Sequence, residues 1–191
     1  MKAVLISIQP KWVEKIVTGE KTIEVRKTAP KIETPFKCYI YCTNGDELID
    51  IREEKNLQIE KPFVLGHGKS NNVILSNPPI VNRKVIGEFI CDEIDRYSAN
   101  ICGWYIFPQE ETCLLCDEIA KYGKGKPIYG WHISNLKIYD KPKGVNEFYQ
   151  PCSQSKNLNC DWLRKHNICA CSNKRFLTRP PQSWCYVEIE K

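Results

Sequence analysis

The sequence predicts a mainly β, α+β fold: a small antiparallel β-barrel with a few short helices and a cysteine-rich insertion. Three observations carry this. The β-branched and aromatic runs are short, as in Ala3-Val4-Leu5-Ile6-Ser7-Ile8, Phe36 to Thr43, Lys84 to Cys91 and the last residues from Trp184. Strong turn chemistry separates them, including Asn44-Gly45 and the proline-bounded link from Thr28 to Pro35. Such spacing of strands and turns reads as a barrel or sandwich. Helical periodicity is confined to two short stretches.

The first element is the apolar strand from Ala3 to Ile8. Pro10 then suits the first position of a helix, where its missing N–H has no partner to lose. In the expected helix, Lys11 to Thr18, Trp12 and Ile16 with Val13 and Val17 form a stripe that covers a sheet or barrel end. Gly19 stands where a left-handed C-terminal cap is wanted. From Thr22 the pattern has period 2, so Ile23 and Val25 share one face while Glu24 and Arg26 share the other, with Lys21 at the start of the strand. Two readings of that polar face are open: a solvated strand edge with an ordinary ion pair, or a charged cleft.

Gly19, Lys21, Glu24 and Arg26, spaced Gly-x-Lys-x-x-Glu-x-Arg and preceded by Ser7-Ile8-Gln9-Pro10-Lys11 and a short helix, carry a family likeness. The pattern resembles the signature of the activating-signal-cointegrator homology (ASCH) domain, whose small β-barrel is related to the RNA-binding PUA domain of pseudouridine synthases and archaeosine transglycosylases. The detailed likeness covers residues 1–43 and is looser at 84–94 and 129–140. It implies a PUA-like barrel spanning residues 1–191 as a single domain. It also implies an RNA-related role, with Lys21, Glu24 and Arg26 lining a ligand cleft and Tyr129, Trp131, His132 and Trp184 as further cleft candidates.

Some ASCH relatives resemble amidohydrolases acting on an acylated cytidine, and others ribonucleases. In the amidohydrolase pattern a lysine at Lys21 and a threonine at the position of Glu24 act with a carboxylate from a later helix. This sequence keeps the lysine and replaces the threonine. Lys21 and Glu24 are therefore candidate catalytic residues, and Glu110, Glu111, Asp117 and Glu118 are undistinguished candidates for the helix carboxylate.

With 191 residues the chain is long enough for one domain with a real core. No segment approaches the roughly 20 apolar residues of a membrane helix, and no charged, apolar and cleavage regions open the chain, so a cytoplasmic protein is expected. The net charge of +5 permits a polyanionic partner without requiring one. Lys121, Lys124 and Lys126 alternate with glycines but lack phosphate-loop spacing, which reads as a polar loop.

The middle of the chain is less regular. Asp46 to Lys61 is charged and reads as a short exposed helix or a loop. Phe63-Val64-Leu65 and Val73-Ile74-Leu75 read as two arms of a hairpin with His67 in the tip. Glu110 to Tyr122 reads as one helix whose apolar face is Leu114, Leu115, Ile119 and Tyr122. Tyr129-Gly130-Trp131-His132-Ile133 opens a strand in which glycine beside aromatics allows a flat stacking surface, while a core role for Trp131 is the alternative.

Eleven cysteines stand out. Cys38, Cys42 and Cys91 lie in strands and read as small buried hydrophobes. Cys113 and Cys116 lie one helical turn apart, and packing explains them without a second pair. Cys152, Cys160, Cys169 and Cys171, with His166, crowd a 141–178 insertion that holds few apolar side chains. Four soft ligands around a structural Zn2+ ion would fold such a segment, with His166 as a substitute ligand; free thiols in a loop are the other reading. A protein-interaction module built on this segment is a further functional class.

Overall fold

The computed structural model describes residues 3–44, 48–50, 63–65, 82–150 and 175–189. Strand β1 (Ala3–Ile8) is buried along its whole length. Its two faces feed different cores: Val4, Ile6 and Ile8 join one cluster with Ile40 and Phe89, while Ala3 and Leu5 join another with Tyr39, Tyr41 and Phe148. A strand covered on both faces has no polar alternation to show, which explains its unbroken apolar run.

β1 pairs in parallel with β3 (Phe36–Cys42) and antiparallel with β12 (Trp184–Ile189). Around them, β6 (Lys84–Cys91), β9 (Ser134–Lys143), β10 (Phe148–Gln150) and β11 (Arg175–Phe176) complete a seven-stranded sheet in the order β11-β10-β12-β1-β3-β6-β9. The parallel pair requires a crossover, and this one runs through helix α1 (Pro10–Val17) and strand β2 (Ile23–Arg26). Ser134–Lys143, Phe148–Gln150 and Arg175–Phe176 show that the ends of the 141–178 segment belong to this sheet.

β2 leaves the large sheet and forms a three-stranded antiparallel one with β8 (Ile128–His132) and β7 (Ile94–Tyr97), in the order β2-β8-β7. One face of this sheet meets the large sheet through Trp131. The other carries Val25, Tyr97 and Ile128 against Ile119 of helix α3 (Cys116–Gly123). Gly130 is required by that packing, since a Cβ there would stand 2.6 Å from the Tyr97 hydroxyl and 2.8 Å from Ile23 Cγ2. The glycine makes room for a buried tyrosine and not for a stacked ligand.

The mainly β character is as expected, but the described sheets do not close into a barrel, and the β1–β3 pair makes them not wholly antiparallel. The expected helix from Glu110 to Tyr122 is two helices, α2 (Gln109–Thr112) and α3. Cys113 breaks the run at φ 53°, in the left-handed region, and Glu118 caps the Leu115 N–H at 2.9 Å to start the second helix. The break leaves Leu115 67% exposed, outside the apolar face expected of it. Phe63–Leu65 (β5) pairs with Leu48–Asp50 (β4), within the stretch read as helix or loop. Val73 to Leu75 and His67 lie outside the described residues, as do Cys152, Cys160, Cys169, Cys171 and His166.

Cys38, Cys42 and Cys91 are fully buried, and burial pushes the Cys42 and Cys91 thiols up to about 12, so these three are packing residues. None of the described helices is long and apolar enough to cross a membrane.

Candidate functional site

The site forms where the crossover turns back. Gly19, at φ +77°, ends α1, and the Lys21 N–H returns to the Lys15 carbonyl at 2.8 Å. That turn directs Lys21 inward beneath Trp12, whose ring centre lies 5.2 Å from its Nζ. Lys21, Glu24 and Arg26 are 2%, 5% and 9% exposed. These values exclude the solvated strand edge.

Glu24 bridges the two cations. Its Oε1 accepts from Arg26 Nη2 at 2.9 Å, and its Oε2 faces Lys21 Nζ at 3.5 Å. Further donors reach two main-chain carbonyls and one side-chain hydroxyl from three other segments. Lys21 donates to the Thr112 carbonyl at 2.6 Å, and Arg26 Nη2 donates to the Ser7 carbonyl at 2.6 Å. Arg26 Nη1 reaches Ser183 Oγ at 3.4 Å, while Ser7 Oγ donates to the Pro181 carbonyl at 2.6 Å. The prolines before Ser183 thus hold one wall of the site, as a rigid turn can.

Burying three charges is costly, and an ion pair returns that cost only with good geometry and further hydrogen bonds. Desolvation is the largest influence on Lys21 and lowers its pKa, against the raising effect of Glu24. One carboxylate faces two cations. Arg26 Nε and Trp131 Nε1 are buried donors with no partner among the described residues.

The expected aromatic residues divide. Pairing of β2 with β8 sets Arg26 opposite Tyr129 and Glu24 opposite Trp131. Trp131 is fully buried, edge-on to Phe36 at 5.9 Å and to Trp184 at 5.7 Å, so its ring fills the core between the sheets. Trp184 donates its Nε1–H to Thr28 Oγ1 at 3.0 Å. His132 follows Trp131 and so points to the opposite face, where its Nε2 lies 2.9 Å from Asp95 Oδ2. Tyr129 borders an open cleft of about 570 Å³, walled by Pro30, Ile32 and Thr34 on one side and by Ile94, Arg96 and Tyr129 on the other.

Sequence reasoning missed Ser7, Thr112 and Arg96 as site residues. Ser7 carried a signal, being the one polar side chain in β1. Arg96 carried none, because its place beside Tyr129 follows from cross-strand register. Of the carboxylates, Glu24 itself meets Lys21; Glu118 is used as a helix cap.

No family model matches the chain, and no curated protein sequence does. Among solved structures, the chain is similar to the crystal structure of ASCH from Zymomonas mobilis, with a TM-score of 0.53 and 16% identity over 97% of this chain and 87% of that one. A substituted form of the same protein matches with a TM-score of 0.52 and 17% identity, covering 98% of this chain and 91% of that one. Identity at this level speaks to architecture, and the architecture agrees with the resemblance carried by Gly19, Lys21, Glu24 and Arg26: the chain has the fold of an ASCH domain.

Proposed function

We propose that the protein binds RNA or a modified nucleoside in the cleft bordered by Tyr129, the strand partner of Arg26 in the Lys21–Glu24–Arg26 cluster. The observation that carries this is the cleft lined by Tyr129 and Arg96, together with the strand register that sets Tyr129 opposite Arg26 of the buried Lys21–Glu24–Arg26 cluster; the three cluster residues themselves are not among those lining the cleft. Fixed cationic donors suit phosphate or base edges, and an aromatic wall suits an unstacked base. The RNA-related role implied by the ASCH resemblance supports the same reading, with a cytoplasmic location.

A paired assay tests it. Wild type and Lys21→Ala are incubated with a mixed single-stranded RNA pool and with acylated nucleosides, and both binding and product are followed. Binding without turnover, weakened in Lys21→Ala, is the expected result. Absence of binding to every ligand in wild type overturns the reading.

Hydrolysis is the second reading, favoured by the lowered pKa of Lys21, because a desolvated amine is a better base or nucleophile at neutral pH. Product formation that disappears in Lys21→Ala would identify Lys21 as catalytic. For the cysteine-rich segment we propose a structural Zn2+ held by Cys152, Cys160, Cys169 and Cys171, with His166 as substitute ligand, which also makes it a candidate contact for a protein partner.

A further inference from the structure

We propose that the ligand of the cleft is a nucleoside phosphate, free or within a single-stranded RNA, whose base lies against Tyr129 and whose phosphate is held by Arg96. This rests on the nucleic-acid reading above and decides between its two ligand types, favouring a phosphorylated ligand over an uncharged nucleoside.

Tyr129 on β8 is the Cα partner of Arg26 on β2 and also of Arg96 on β7. Residues directly opposite one another project to the same face, so Arg26, Tyr129 and Arg96 form one row across the three-stranded sheet. The adjoining row is Glu24, Trp131 and Ile94, which is buried or partly buried.

The two arginines in the row differ in what they have left to offer. Arg26 is 9% exposed and spends its terminal nitrogens on Glu24, the Ser7 carbonyl and Ser183. Arg96 is exposed and lines the cleft, and its guanidinium has no ion pair or hydrogen bond among the described residues. A guanidinium in that state is suited to bidentate binding of phosphate.

Tyr129 separates the two cations and is only partly buried, so a ring face or edge is available to the cleft. The opposite wall offers Ile32 and Pro30, which sandwich a flat group, and the exposed carboxylate of Glu33, which accepts from a base amino group. An uncharged nucleoside would use the ring and leave Arg96 unused. A nucleoside phosphate uses both.

The test uses the full chain as wild type, Arg96→Gln, Arg96→Lys and Tyr129→Leu, with a short fluorescein-labelled single-stranded RNA titrated at several salt concentrations. Nucleosides and the matching nucleoside monophosphates serve as competitors. Arg96→Gln is expected to weaken binding and to make the slope of log affinity against log salt shallower by about 0.7, the value of one phosphate contact on a single strand. Arg96→Lys keeps the slope. Tyr129→Leu is expected to weaken binding about 5- to 150-fold, the range for losing one stacked base, with the slope unchanged. Monophosphates should compete better than nucleosides. If monophosphates displace the RNA fully, free nucleotide is the source; if only oligomers do, the source is an RNA strand.

If wild type binds RNA while Arg96→Gln keeps both affinity and slope, and nucleosides compete as well as monophosphates, this inference fails and the broader reading stands. If wild type binds neither RNA nor mononucleotide, both fail. Arg96 is exposed, so loss of folding does not confuse the Arg96→Gln result.

Discussion

Lys21 donates its ammonium hydrogen to the main-chain carbonyl of Thr112 at 2.6 Å, joining the start of β2 to the end of a helix 91 residues later. Thr112 is the last residue of α2, and Cys113 beyond it turns left-handed. The lysine therefore satisfies a helix-end carbonyl that the chain's own continuation cannot. A second bond, from the Thr22 N–H to the Glu111 carbonyl at 2.9 Å, reinforces the same junction. These two bonds tie the end of α2 to the start of β2.

The three buried charges should respond unequally to removal. In Glu24→Gln both Lys21 and Arg26 keep their burial and lose their carboxylate, a change expected to cost about 3–5 kcal/mol in urea unfolding. Lys21→Met should cost much less, because Glu24 keeps Arg26 at 2.9 Å and the expense of desolvating the ammonium disappears. Equal losses in the two variants would mean that Glu24 does not act as the shared counter-ion.

The lowered pKa of Lys21 also makes a statement about pH. Between its folded value and the ordinary 10.5, the unfolded chain holds a proton on this lysine that the folded chain has released. The unfolded state then binds more protons, so stability from this group rises with pH across that window. Below the folded value the lysine is charged in both states and its contribution is flat. The unfolding free energy of wild type minus that of Lys21→Met, followed from neutral to alkaline pH, should shift in favour of wild type. A difference that stays level or falls would show that the paired carboxylate outweighs desolvation.

Gly130→Ala should be destabilising without touching any charged group. The added methyl would meet the Tyr97 hydroxyl at 2.6 Å, its ring at 2.7 Å and Ile23 at 2.8 Å, all within a packed sheet face. Overpacking of this kind costs about 1–3 kcal/mol, readable from the urea midpoint. An unchanged midpoint would mean that Tyr97 moves aside freely and that the glycine has another purpose.

These sites differ in how far the sequence disclosed them. Period 2 from Thr22 set Glu24 and Arg26 on one side, and they are joined at 2.9 Å. Their burial was not legible, because a polar strand face reads the same whether it meets water or a second sheet. What buries them comes from far along the chain: Trp131 across the register, Ser183 after its prolines, and Thr112 from α2. The closed barrel failed for a related reason. Local strand patterns say where strands are and leave open which edges meet, and here β1 takes a parallel neighbour while β2 departs to a separate sheet. The single helix from Glu110 failed because its apolar spacing continues through Cys113, whose left-handed backbone no periodicity records.

If Cys152, Cys160, Cys169 and Cys171 hold a structural zinc ion, purified protein should contain one zinc per chain by elemental analysis, and Cys160→Ser should lower that content. Binding of zinc to such a set supplies about 10–16 kcal/mol at neutral pH, much of it spent on ordering a segment poor in apolar side chains. Chelation should therefore lower the melting temperature and increase protease cutting within 151–174. Nucleic-acid binding at the cleft bordered by Tyr129 should survive chelation if the two regions act separately. Stoichiometric zinc that persists in a variant with all four cysteines changed would place the metal elsewhere, and a metal-free protein with unaltered protease resistance would leave these thiols as ordinary side chains.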